Sequence, residues 1–89
     1  RARAFRYGGE EIAIVCDGLA EGDARALAET VRERLAAETI AVEPDSLSIT
    51  ASIGLACARA STAEAFLRRA DDALLAAKRT GKNRVVLAP

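Results

Sequence analysis

Aromatic residues are nearly absent from this sequence: Phe5, Tyr7 and Phe66 are the whole set, with no Trp. The core must therefore be built from Ala, Leu, Ile and Val. His is also missing, and Cys16 and Cys57 form no Cys-x-x-Cys pair. That argues against a structural disulfide or a metal site of the Cys/His kind and suits free, buried thiols. Net charge is absent too, with 13 basic and 13 acidic residues. No positive field favours a nucleic acid polymer or direct contact with an anionic membrane. No apolar run approaches the ~20 residues that span a bilayer, and no signal peptide is visible. Met is absent as well, so the chain reads as a fragment or a processed product. It opens inside a patterned segment at Arg1, which suggests a cut through a larger domain.

What is present is globular in composition, 51% apolar and 29% charged over 89 residues. That length suits one small domain, which buries only about 60–65% of its unfolded surface.

The pattern along the chain predicts the order β-turn-β-α-β-α-β. Residues 1–7 read as a strand and Gly8-Gly9 as a two-residue hairpin turn, because glycine admits the positive φ of tight turns. The return strand holds Ile12 to Cys16, whose lack of alternation suggests burial on both faces. A helix is expected over 23–38, with Ala24, Leu27, Ala28, Val31 and Leu35 as its apolar stripe and Glu21–Arg25 and Arg25–Glu29 as supporting pairs. Residues 39–46 read as a connection. Leu47 to Cys57 alternates strictly and reads as one long strand. One face is aliphatic. The other, Ser48, Thr50, Ser52, Gly54 and Ala56, is small enough for close packing. Ser61 and Glu64 suggest a capping box opening a helix over 62–80. Its stripe is Phe66, Leu67, Ala70, Ala73, Leu74 and Ala77. Gly81 suits the helix end, and Arg84 to Ala88 reads as a last strand. The expected class is α+β: an antiparallel-rich sheet with two packed helices.

Two turns carry chemistry. At Gly8-Gly9-Glu10-Glu11, successive strand residues point to opposite faces, so in a covered sheet at least one carboxylate meets protein or ligand, at a cost if unpaired. A hard divalent cation would offset that cost, and Mg²⁺ is commonly held by one or two carboxylates plus substrate phosphates. The bare glycine backbone would admit a nucleotide. The alternative is a plain hairpin with solvated glutamates. The second turn, Lys78-Arg79-Thr80-Gly81-Lys82-Asn83-Arg84, fits either cations that complement a helix C-terminus or a phosphate clamp. Its order, helix then Gly-Lys then strand, is the reverse of a P-loop.

Together these turns resemble the GGDEF domain, the diguanylate cyclase family. Gly8-Gly9-Glu10-Glu11-Ile12 is similar to Gly-Gly-Asp/Glu-Glu-Phe. Ala70-Asp71-Asp72-Ala73-Leu74-Leu75-Ala76-Ala77-Lys78 is similar to Ala-Asp-x-Ala-Leu-Tyr-x-Ala-Lys, and Gly81-Lys82-Asn83-Arg84 to Gly-Arg-Asn-Arg. Ile49-Thr50-Ala51-Ser52-Ile53-Gly54 is similar to the family's Val-Thr-Val-Ser-Ile-Gly. The resemblance covers the C-terminal half of such a domain, so residues 1–89 are expected to be the C-terminal portion of one GGDEF domain.

The resemblance implies a fold like nucleotidyl cyclases and polymerase palms, and a parent that joins two GTP into cyclic di-GMP with release of pyrophosphate. It implies Mg²⁺ (or Mn²⁺) as cofactor, a second GGDEF domain as partner, and the cytoplasm as location, with membrane anchoring left to upstream segments. Gly8 and Gly9 would line GTP, Glu10 would bind the metal, Glu11 would support the metal or the reacting hydroxyl, and Lys78 and Lys82 would hold the terminal phosphates. The departures are Ile12 for Phe, Leu75 for Tyr, and Lys82 for Arg, which keeps charge but loses the bidentate fork. The family's product-inhibition motif, Arg-x-x-Asp, would end at Ala2, so that site is expected to be broken. The family's other metal-binding Asp and its guanine-reading residues would lie upstream, so the 89 residues alone are expected to be inactive. A degenerate domain that binds GTP or regulates a neighbour is the alternative.

Overall fold

The computed structural model describes residues 2–6, 12–16, 18–57 and 62–89. Six strands and two helices follow in the order β1 (Ala2–Arg6), β2 (Ile12–Cys16), α1 (Glu21–Ala37), β3 (Ile40–Val42), β4 (Asp45–Leu47), β5 (Ile53–Leu55), α2 (Ala63–Arg79) and β6 (Val85–Leu87). The strands pair two by two. β1–β2 and β3–β4 are antiparallel, and β5–β6 is parallel. The α+β class with two packed helices holds, and antiparallel pairs predominate.

α2 forms where its stripe predicts. Ala73 and Ala77 are buried, while Phe66, Leu67, Ala70 and Leu74 are half-buried on the same side. Its cap differs from the expected Ser61–Glu64 box. The Thr62 hydroxyl accepts from the Ala65 N–H at 3.1 Å, so the helix starts one residue later than that box requires. The helix packs on β5 and β6, and the small-residue row permits it. A Cβ on Gly54 would collide with the Ala70 carbonyl oxygen and the Leu74 backbone nitrogen, and would lie 2.7 Å from the Leu74 Cα. Such close approach needs a residue without a side chain. Ala88 completes the buried set of the described residues. Arg69 ties the region together by donating to the Cys57 carbonyl at 2.7 Å and the Pro89 carbonyl at 3.2 Å. Cys57 itself is a free, half-buried thiol.

α1 starts at Glu21, two residues before the expected Asp23, with Glu21 and Asp23 in its first turn. These carboxylates favour the positive end of the helix dipole and serve where Ala20 offers no side-chain cap. The helix packs on β5 and β6, but its stripe is thinly covered, with Leu27 45% and Val31 38% exposed. Glu29 pairs with Arg32 at 2.7 Å, a spacing of three, rather than with Arg25.

Three further expectations are corrected. The connection at 39–46 is part of a hairpin, in which Ile40 opposes Leu47 and Val42 opposes Asp45 around a cis Glu43–Pro44 peptide. The long strand from Leu47 to Cys57 is divided between β4 and β5, with no regular structure over 48–52. Alternation supplies the side-chain pattern, but a strand needs a partner, and β6 is long enough to pair only Ile53 to Leu55. Finally, β2 pairs with β1 alone among the described strands, and Ile14 is 58% exposed. No described residue covers that face as the apolar run predicts.

Candidate functional site

The β1–β2 ladder fixes where the carboxylate turn sits in the chain. Ala2 opposes Cys16 and Arg6 opposes Ile12, so residues 7–11 connect the two strands. Gly8, Gly9, Glu10 and Glu11 all belong to that connection and lie outside the described residues, as does the expected two-residue turn at Gly8-Gly9. Among the described residues, no group of His, Cys, Asp or Glu is arranged to hold a metal ion.

The basic turn is described in full. α2 ends at Arg79, with Thr80 as its C-cap. Gly81 follows at φ 131°, and the Lys82 N–H reaches back to the Ala77 carbonyl at 2.9 Å. This is the Schellman arrangement, and it satisfies a carbonyl the helix would otherwise leave open. The positive φ is what calls for glycine here; the Arg84 guanidinium folds back over the turn beside it but is the mobile end of an exposed side chain. The Arg84 Nε donates to the Lys82 carbonyl at 3.1 Å.

Two more positive-φ residues follow, Lys82 at 64° and Asn83 at 48°. Asn tolerates the left-handed region, but Lys does so at a cost of about 1–2 kcal/mol. Surrounding bonds fix this conformation. The Asn83 N–H donates to the Ser52 hydroxyl oxygen at 3.2 Å. The Asn83 Oδ1 accepts from the Arg32 Nη1 at 2.9 Å. The Arg84 carbonyl accepts from the Ile53 N–H at 2.9 Å, where β6 begins. Lys82 is exposed, and Lys78 is half-buried on the last turn of α2. Both lysines thus lie at the C-terminal end of α2, and Arg84 bonds the Lys82 carbonyl. Sequence reasoning did not single out Arg32, and it named Ser52 and Asn83 only as members of longer motifs. An Asn following Gly-Lys at a helix end was the available signal, as Asn is the residue after Gly that best accepts positive φ.

A recess among the described residues lies elsewhere. A hollow of about 280 Å³ lies between α2 and the chain end, lined by Arg69, Asp72, Ala76, Val86 and Pro89 among others. Neither Lys78 nor Lys82 borders it.

Residues 1–84 match the family model for the diguanylate cyclase GGDEF domain. The chain belongs to the GGDEF domain family. It is similar to the response regulator PleD of Caulobacter vibrioides, 38% identical over 91% of this chain and 19% of that protein. It is also similar to diguanylate cyclase A of Treponema denticola, 34% identical over 94% of this chain and 23% of that protein. The fold matches the GGDEF domain of DgcB from Caulobacter crescentus, solved in complex with c-di-GMP, with TM-score 0.90 and 32% identity. That match covers 98% of this chain and 53% of the solved one. The chain thus spans about a fifth of the curated relatives it matches and about half of the solved domain. As a GGDEF sequence it departs from the family Tyr at Leu75, which is 45% exposed and so packs little. No described helix is long and apolar enough to cross a membrane.

Proposed function

We propose that residues 1–89 are the C-terminal portion of a GGDEF domain whose parent protein is a diguanylate cyclase. The observation that supports this reading is the intact Gly8-Gly9-Glu10-Glu11 sequence, which stands in the chain between the antiparallel strands β1 and β2. Loss of either carboxylate would be the expected mark of decay.

In the proposed reaction two domains meet, each with one GTP. The 3′-hydroxyl oxygen of each GTP attacks the α-phosphorus of the other. In each attack a new P–O bond forms, the bond from the α-phosphorus to the α–β bridging oxygen breaks, one pyrophosphate leaves, and the hydroxyl proton passes to solvent. Catalysis of this kind is mostly positioning and charge neutralisation. Gly8 and Gly9 line the nucleotide with bare backbone. Lys78 and Lys82 hold the terminal phosphates from the end of α2. Glu10, with Glu11 as helper, offers hard oxygen donors suited to Mg²⁺ or Mn²⁺. When bound, such an ion supplies activation of the attacking oxygen and neutralisation of the leaving group. The reaction belongs in the cytoplasm, where GTP is found.

Glu10→Gln in the parent keeps size and removes charge. Cyclic di-GMP formation should fall by about a hundredfold or more, the scale of several kcal/mol of lost charge stabilisation. Turnover equal to the unaltered protein would leave Glu10 without this role. The 89 residues alone, given GTP and Mg²⁺, should yield no cyclic di-GMP.

One observation favours a second reading. Lys82 stands where the family has Arg and gives up the bidentate grip, as a domain kept for GTP binding or regulation would tolerate. A parent that binds GTP and makes no product would support it.

A further inference from the structure

We infer that Arg32, on α1, is a positioning residue for the phosphate grip: through Asn83 it holds the backbone of the turn that presents Lys82. This rests on the proposed role of Lys82 and adds a residue 51 positions away from Asn83 in sequence.

Lys82 lies between two residues whose φ is also positive, Gly81 and Asn83. A lysine does not stay in that conformation unless its surroundings over-determine it. The turn is pinned from different parts of the fold. The end of α2 holds the Lys82 N–H, Ser52 holds the Asn83 N–H, and Arg32 holds the Asn83 side chain. Of these, Arg32 is the charged one and is itself oriented. Its Nε donates to Glu29 at 2.7 Å, and its side chain is only 19% exposed. Glu29 therefore aims the guanidinium fork and Nη1 grips the Asn83 Oδ1, so α1 braces the turn. The bonds of Arg32 are to Glu29 and Asn83, and none goes to Lys82. Its action is on the direction from which the Lys82 ammonium approaches.

A contact that merely docks α1 would lower stability and weaken every ligand alike. A positioning contact weakens only ligands that carry terminal phosphates. The test is equilibrium binding of a non-hydrolysable GTP analogue and of GMP to the parent protein. The variants are Lys82→Ala, Arg32→Ala, Arg32→Lys, Asn83→Gly, Asn83→Asp and the double variant Arg32→Ala/Lys82→Ala. Asn83→Gly admits the positive φ, leaves the Glu29–Arg32 pair in place and removes the acceptor with the rest of the side chain; Asn83→Asp, which keeps the acceptor oxygen, should bind normally and separates loss of the acceptor from a loosened turn if Arg32→Ala does not fold. We expect Lys82→Ala, Arg32→Ala and Asn83→Gly each to weaken the GTP analogue about tenfold, on the scale of a lost charge-assisted bond. GMP affinity should not change. The double variant should lose no more than either single one, because both act through one grip. Arg32→Lys should restore little, since an ammonium cannot serve Glu29 and Asn83 as a fork does. If Lys82→Ala weakens the analogue and both Arg32→Ala and Asn83→Gly bind normally, the inference fails and the site reading stands. Equal losses for GMP, or additive losses in the double variant, also overturn it. If Lys82→Ala has no effect, the proposed phosphate site fails and the inference with it.

Discussion

Gly54 sets the distance between α2 and β5. Its missing side chain lets the backbone at Ala70 and Leu74 descend onto the strand. Gly54→Ala should destabilise the fold by about 1–3 kcal/mol, as overpacking does when a backbone must shift, and thermal unfolding followed by circular dichroism would measure it. An unchanged melting temperature would mean that the helix can lift off without cost. Gly54 was legible in the sequence as one of a row of small residues facing a close neighbour. Gly81 was equally legible as a helix terminator. Arg32 was not, because its partner Asn83 lies 51 positions along the chain, and no local period connects them. The carboxylates Glu10 and Glu11 were legible only as a motif, since a hairpin connection has no packing pattern to argue from.

Among the elements, α2 was the most legible. A 3.6-residue stripe with a cap before it and Gly after it fixes both ends within a residue. The strands were read less well. Ile40 to Leu47 holds apolar residues on either side of Pro44, and the proline suggested a loop where the chain in fact turns back on itself. Pairing across a turn is a non-local property that alternation does not report. The elements also differ in protection. The β5–α2–β6 unit contains Ala73, Ala77 and Ala88, the buried residues of the described set, and its ladder is extended by the Ala88 N–H to the Leu55 carbonyl at 2.7 Å. β3 and β4 are exposed along their whole length. Native-state hydrogen exchange should therefore be slowest at amides such as Ile53 and Ala88 and fast through residues 40–47. Comparable protection in the two regions would contradict this division.

The whole molecule is open for its size. Its accessible surface is 6646 Å², against roughly 5,000 Å² for a compact monomer of this mass. Its radius of gyration is 14.0 Å, against about 12 Å for a compact chain of this length. Ile14, Leu27 and Val31 contribute apolar area to that surface. These are residues the sequence assigned to a covered strand and a helix stripe. The strand was expected to be covered on both faces and the helix on one, and that cover is not found among the described residues. If further chain of the parent covers these faces, a longer piece should unfold at a higher temperature than the 89 residues do, and an equal melting temperature would count against the proposed domain division.

The alanine core has a calorimetric consequence. The heat capacity of unfolding follows the apolar area newly exposed to water, and Ala73, Ala77 and Ala88 contribute little. An ordinary domain of this length would show about 1.1–1.3 kcal/mol/K. The 89 residues should fall below that range. Their stability would then vary gently with temperature, and the step in heat-capacity baseline across unfolding would be small.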